Sequence, residues 1–316
     1  MNDLIISSNL QKSFPTIVDG LRKAQSVLDQ IHSFEDVERV FLMGAGLSPN
    51  TYRSYLTAVR QLYDFTGGLN PLQITPAWIE KFYDYLVKKV DRNTAYLRVR
   101  GLKKFFAGIR NVIPFYTSPF EIMSETLNRK LNRTKKGNRT KKALLRGELR
   151  ALLDFLDQDK TIKGLENYAI SLTLVTSGLR ASELCQLCWD KLDYLEGRYI
   201  AYFIGKGGKD AEQELYPEAV NAVKLYFYKQ FNRMPAPGDR FFYSLESYKD
   251  RQFTPLVTPT LWVRIRDIGI AARAAGIIKR DLQFSPHLFR RTYASLLFKA
   301  GMDIKALQLA TRHANV

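Results

Sequence analysis

Apolar residues recur every three to four positions through most of the chain, the period of an amphipathic helix. Ser48-Pro49 suits an N-cap followed by a first-turn proline, and Tyr52, Tyr55, Leu56, Val59, Leu62 and Tyr63 then follow with helical spacing. Thr75-Pro76 opens a second helix with Trp78, Ile79, Phe82 and Leu86 on one side. A third begins near Asn93, with Ala95, Val99, Leu102, Phe106 and Ile109 as its apolar stripe. A further helix is expected within Ile17 to Ile31. The aromatics of this half keep the helix period, which assigns them to a core rather than to base stacking.

The second half mixes periods. Glu148 to Leu156, Glu166 to Thr176 and Ala181 to Leu187 read as helices, the last after a break at Ser177-Gly178. Arg198 to Ile204 has strand character, Gly205-Lys206-Gly207-Gly208-Lys209 is a turn, and Glu212 to Tyr216 returns as the partner strand. Helices follow over Pro217 to Phe231, over Pro259 to Ala275, from His287 behind Ser285-Pro286, and behind Asp303. Between the halves, Arg129 to Lys142 has no apolar period and carries eight basic residues in fourteen with no acid. It is expected to be an extended linker, either a solvated connector or a strap along a phosphate backbone. The expected organisation is a helical domain over residues 1–128 with an extra N-terminal helix, a basic linker over 129–142, and a mainly α domain with a small β element over 143–316.

Composition narrows the function classes. The 316 residues are 46% hydrophobic and 25% charged, as in globular proteins with substantial cores. No run reaches the roughly 18 apolar residues of a membrane span, and the first residues lack a secretory signal pattern. Two cysteines rule out a disulfide scaffold and point to a reducing, cytoplasmic setting. Lys and Arg number 48 against 31 Asp and Glu, a net charge of +17. A polyanion is the first partner to consider, and nucleic acid is favoured over membrane. On the third helix Arg98, Arg100, Lys103 and Lys104 lie off the apolar stripe, facing phosphate or water. In the linker the candidate phosphate contacts are Lys135, Lys136, Arg139, Lys141 and Lys142.

Candidate chemistry gathers in the second half. In Thr176-Ser177-Gly178-Leu179-Arg180-Ala181-Ser182-Glu183-Leu184, Arg180 sits at a helix start, where free N–H groups already favour an anion. Glu183 is placed to pair with it. Lys206 lies at the tip of a glycine-rich turn that lacks P-loop spacing, and a lysine there suits protonation of a leaving oxygen. His287 and Arg290 share a helix face at i and i+3. His313, near the end of the next helix, is the last of only three histidines. Cys185 and Cys188 form a C-x-x-C with no second pair, which reads as small buried hydrophobes rather than a zinc or redox site. No carboxylate cluster suggests a two-metal nuclease.

In order, Gly178-Leu179-Arg180 with Glu183-Leu184, Ile204-Gly205-Lys206-Gly207, Pro286-His287-x-x-Arg290 and His313 resemble the tyrosine recombinase, or phage integrase-like, family. Leu47-Ser48-x-x-Thr51-x-x-x-Tyr55 looks like part of its helical core-binding domain. The resemblance covers nearly the whole chain. It implies that Arg180 and Arg290 hold the nonbridging oxygens of a scissile phosphate, and that Lys206 protonates the departing 5′ oxygen. It further implies acid/base chemistry for His287, a phosphate hydrogen bond from His313, and support of Arg180 by Glu183. The nucleophile is a tyrosine that forms a 3′-phosphotyrosyl bond, with no metal or other cofactor. The implied partners are double-stranded DNA and, on DNA, further copies of the chain in a tetramer, with no membrane and a nucleoid-associated location.

Two departures qualify the match. Arg312 precedes His313 where relatives often have glycine. The nucleophile is expected about ten residues past His313, beyond Val316, which implies a chain cut short of its tyrosine that binds DNA without cleaving it and is monomeric when free. Tyr293, on the helix of Arg290, is the nearest internal tyrosine and matches a core position of the family. The alternatives are a type IB topoisomerase and a non-catalytic DNA-binding protein on the same fold.

Overall fold

The structure, a computed structural model, describes residues 29–42, 46–113, 116–132, 142–205, 207–244 and 254–312, with Asp19, Arg22 and 25–27 before them. The chain divides into two compact units, Met1–Asn138 and Arg139–Val316.

The first unit is helical: α1 (Phe34–Phe41), α2 (Pro49–Phe65), α3 (Pro76–Lys89), α4 (Arg92–Ile109) and α5 (Glu125–Asn132). Periodicity missed α1, although Ser33 and Asp36 cap its start reciprocally. Asp91 caps α4 through the N–H groups of Asn93 and Thr94. Ser48 occupies the N-cap position of α2 without a side-chain cap bond; its hydroxyl meets Thr51 Oγ1 at 2.8 Å, and Pro49 supplies the entry geometry. The aromatics are core as expected: Phe82 and Phe106 are fully buried, and Phe41 meets Phe105 edge-on at 5.9 Å. Of the segment within Ile17 to Ile31, Asp19, Arg22 and 25–27 are helical.

The expected extent of the linker needs correction. Arg129–Asn132 belongs to α5, not to an extended linker, because Leu127 and Leu131 are buried while Lys130 reaches Glu80 and Asp84 at 2.9 and 3.0 Å. Lys135, Lys136, Arg139 and Lys141 lie outside the described residues. Lys142 is exposed, with Nζ 3.4 Å from the Asp281 carbonyl.

The second unit runs α6 (Arg146–Asp157), α7 (Ile162–Ser177), α8 (Ala181–Leu184), β1 (Leu192–Leu195), β2 (Arg198–Ile204), β3 (Asp210–Leu215), α9 (Pro217–Phe231), α10 (Thr258–Ala274), α11 (Pro286–Lys299) and α12 (Ile304–Thr311). Helix α7 is its centre. Buried side chains surround it, and α6, α9, α10 and α11 pack on it. It stops at Gly178, whose φ of +62° suits glycine. A Cβ there would lie 2.2 Å from Tyr293 Cδ1, so α11 approaches this turn as closely as glycine permits.

The three strands form one antiparallel sheet in the order β1-β2-β3, with Leu192 opposite Ala201 and Ala201 opposite Gln213. On β2, Ala201 and Phe203 point inward. Strand β1 was not expected. Helix α8 spans four residues and stops short of the expected Leu187, where the chain leaves to bridge Arg240 from Cys188.

Candidate functional site

Arg180 is the N-cap residue of α8, in extended backbone straight after the Gly178 turn. The Glu183 carboxylate accepts its backbone N–H at 2.8 Å and its Nη1 at 2.6 Å, so one acidic side chain fixes both ends of the arginine. Arg180 Nη2 then donates to the carbonyl of Arg312 at 2.8 Å.

Arg290 reaches the same place from the first turns of α11. The residue is 5% exposed, and its guanidinium donates to two main-chain carbonyls, those of Gly178 and Thr311. Burial, and then the neighbouring charges of Arg180 and Arg312, push its pKa down to about 10, while Glu183 opposes them. At neutral pH it keeps its charge. The turns after α7 and α12 thus supply the carbonyls that aim both arginines.

Arg312 completes the cluster, and its side chain is a member that motif reasoning did not assign. It ends α12 at φ +49°, the left-handed region where a non-glycine residue costs roughly 1–2 kcal/mol. Its Nη2 donates to Glu183 Oε2 at 2.7 Å, its Nη1 to Gln213 on β3, and its guanidinium lies 5.2 Å from the Phe203 ring centroid. The available signal was an arginine where relatives often carry glycine. Glu183 is 1% exposed. Burial alone would raise its pKa, but the Arg180 N–H, the Arg312 charge and the Arg180 side chain outweigh that and hold it below the usual carboxylate value. Arg180, Arg290 and Arg312 around one carboxylate leave a positive excess, which favours an anionic ligand.

Family models match at this point. The model of the phage integrase family covers residues 142–316, and that of the phage integrase N-terminal SAM-like domain covers residues 34–111. The chain belongs to the phage integrase family. It is 26% identical to tyrosine recombinase XerA of Thermococcus kodakarensis over 297 residues, 94% of this chain and 89% of that protein. It is 27% identical to tyrosine recombinase XerD of Pseudomonas putida over 277 residues, 86% of this chain and 85% of the other. Among solved structures, XerH site-specific recombinase bound to palindromic difH substrate aligns with a TM-score of 0.68 at 18% identity, over 94% of this chain and 83% of that one. The Tn1549 transposon integrase in complex with circular intermediate DNA aligns at 0.66 and 19%, over 93% and 92%. The fold is the mostly helical tyrosine recombinase fold, with an N-terminal SAM-like domain and a C-terminal integrase catalytic domain.

The remaining motif residues of this integrase-family chain are placed unevenly. His287 is exposed in the otherwise buried first turn of α11, with the Trp262 ring edge-on at 5.8 Å. Lys206 and His313 lie outside the described residues; the flanking Gly205 closes the β2–β3 turn by donating its N–H to the Lys209 carbonyl at 2.7 Å. On α4, Arg100, Lys103 and Lys104 are exposed, and Arg98 is half-buried with Nη1 3.4 Å from the Ser54 carbonyl. Tyr293 is packed on Gly178, and burial, then the nearby Tyr216, raise its pKa. Burial raises both thiols, Cys185 up to about 11, and Cys188 Sγ lies 3.1 Å from the Asp239 carbonyl, so they are small inert core groups. Among the described residues no group of His, Cys, Asp and Glu could hold a metal ion, and no helix is long and apolar enough to cross a membrane.

Proposed function

We propose that this chain is a site-specific DNA recombinase or integrase that takes a phosphodiester of duplex DNA into the pocket of Arg180 and Arg290. The observation that carries this reading is the convergence of those two guanidiniums, Arg180 held by Glu183 and the Arg312 carbonyl and Arg290 by the carbonyls of Gly178 and Thr311. Arg180 and Arg290 hold the nonbridging oxygens and stabilise the charge that grows on them in the transition state. Glu183 holds Arg180. A tyrosine Oη attacks phosphorus, the P–O5′ bond breaks, and Lys206 delivers the proton that the 5′ oxygen takes up. His287 takes part in proton transfer at the nucleophile, and His313 donates a hydrogen bond to the phosphate. The 3′-phosphotyrosyl bond keeps the energy needed to rejoin the strand, with no cofactor.

The domains divide the work. The unit carrying Arg98, Arg100, Lys103 and Lys104 and the unit carrying the arginine pocket both contact the duplex, and the basic segment with Lys135, Lys136, Arg139, Lys141 and Lys142 tracks phosphates between them. Further copies assemble on DNA as a tetramer, in the cytoplasm on nucleoid DNA. Tyr293 is not the nucleophile, because its ring fills the space that Gly178 leaves open.

Fluorescence anisotropy with labelled duplexes tests the binding. Affinity should fall steeply with salt, and Lys135→Ala with Lys136→Ala should weaken all sequences alike and reduce the log–log salt slope by about 2. Duplex binding that is absent, or insensitive to salt, overturns the reading. A denaturing gel showing a protein–DNA adduct that Tyr293→Phe abolishes would return the nucleophile to Tyr293.

A further inference from the structure

We propose that Arg312 is a positioning residue that locks the β2–β3 strand pair and the Arg180–Glu183 pair into one preorganised body before DNA arrives. The inference rests on reading this pocket as the phosphate site, and it adds a residue that the family motif does not contain.

The backbone is the first argument. Arg312 stands at φ +49°, where glycine would sit without strain, and the turn it makes sends two consecutive carbonyls, those of Thr311 and Arg312, to Arg290 and Arg180. Glycine would serve that turn equally well, so the need for arginine lies in the side chain.

That side chain commits both of its Nη atoms inside the protein. It is 17% exposed and forks between Glu183, one residue short of the end of α8, and Gln213 on β3. Its guanidinium carbon lies over the Phe203 ring on β2, and Ala201, two residues before Phe203, is the register partner of Gln213. One planar group therefore grips both strands just below the Gly205–Lys209 turn while holding the carboxylate that holds Arg180. A guanidinium suits this because it presents donors in two directions from one rigid plane, whereas an ammonium offers a single point. Both Nη atoms of Arg312 go to protein partners, Glu183 and Gln213, and its effect on the reaction runs through those neighbours.

Two measurements on the DNA-free chain read the two arms separately. Amide hydrogen exchange reports the strand pair, and selective carbon-13 labelling of glutamate, assigned with Glu183→Gln, reports the Glu183 titration. The charged groups facing that carboxylate are Arg180 and Arg312, with Arg290 behind them. Arg312→Gly should speed exchange in β2 and β3 by about ten-fold or more while leaving α6 and α7 unchanged. It should also raise the Glu183 midpoint by about one pH unit. Arg312→Lys should return the midpoint but not the exchange rates, and Gln213→Ala should speed exchange without moving the midpoint. Unchanged strand exchange in Arg312→Gly overturns the inference. So does faster exchange spread evenly through residues 142–312, or readouts that move together in every variant, since either makes Arg312 a general stability residue. Because DNA is absent from both measurements, these failures leave the recombinase reading standing; failure of the wild-type chain to bind duplex DNA removes that reading and leaves the clamp.

Discussion

Two carboxylates lie inside the second unit, Glu183 with 1% of its surface exposed and Glu166 with 0%. Glu183 accepts three N–H groups from two arginines within 2.8 Å, and its pKa falls. Glu166, on α7, has Arg264 at 3.4 Å and no hydrogen-bond partner for either oxygen among the described residues. Burial pushes its pKa up to about 7, against the charges of Arg264 and Lys163. Both side chains are shut off from solvent yet titrate in opposite directions: N–H donors and arginine charges outweigh burial at Glu183, and burial dominates at Glu166. The saturated carboxylate lies in the arginine cluster, and the under-satisfied one lies in the structural core.

The strongest way to break this contrast is Glu183→Ala. It removes the one negative charge among Arg180, Arg290 and Arg312, and urea unfolding at neutral pH should show a loss of about 3–5 kcal/mol. The wild-type contribution is present above the unfolded carboxylate pKa and lost as pH falls through the lower folded value, so the variant's deficit should shrink in acid. A deficit below about 1 kcal/mol would put Glu183 in the same class as Glu166.

Glu166→Gln comes next, with the sign reversed. The folded pKa of Glu166 lies above its unfolded value, so ionising it costs stability as pH rises from about 4.5 to about 7. Wild-type stability should therefore drop by about 3 kcal/mol more than that of the variant between about pH 4 and about pH 8. Parallel pH curves for the two proteins would show that Glu166 is solvated or paired better than its geometry implies. The smallest effect belongs to Ser171→Ala on the same helix. Its hydroxyl is buried without a hydrogen-bond partner among the described residues, so thermal unfolding should show no loss, or a gain of up to about 1 kcal/mol. A clear loss would reveal a partner for that hydroxyl.

Legibility in the sequence followed contact distance along the chain. Arg180 and Glu183 stand three residues apart, so their pairing was readable from the string itself. Helix α9 was readable from its opening proline to Phe231, because Pro217 marks its start and apolar spacing carries it through. Strand β1 was not, since Leu192–Leu195 is four residues long, largely exposed, and paired only through β2. The side-chain partners of Arg312 lie 129 and 99 residues away, beyond the reach of local periodicity. The end of α5 was misjudged because Leu131 sits among basic residues, and its burial is decided by the helices around it.

The acceptors that aim Arg180 and Arg290 include the carbonyls of residues 178, 311 and 312, which every amino acid possesses. Point substitution does not delete a carbonyl; only a change in the path of the chain moves it. This main-chain support of the two arginines is therefore insulated from most single-letter changes of side chain and exposed to insertions, deletions and prolines at the ends of α7 and α12. Diversification of this protein that keeps the lengths of those two turns can vary the side chains around the arginines while their carbonyl acceptors stay in place.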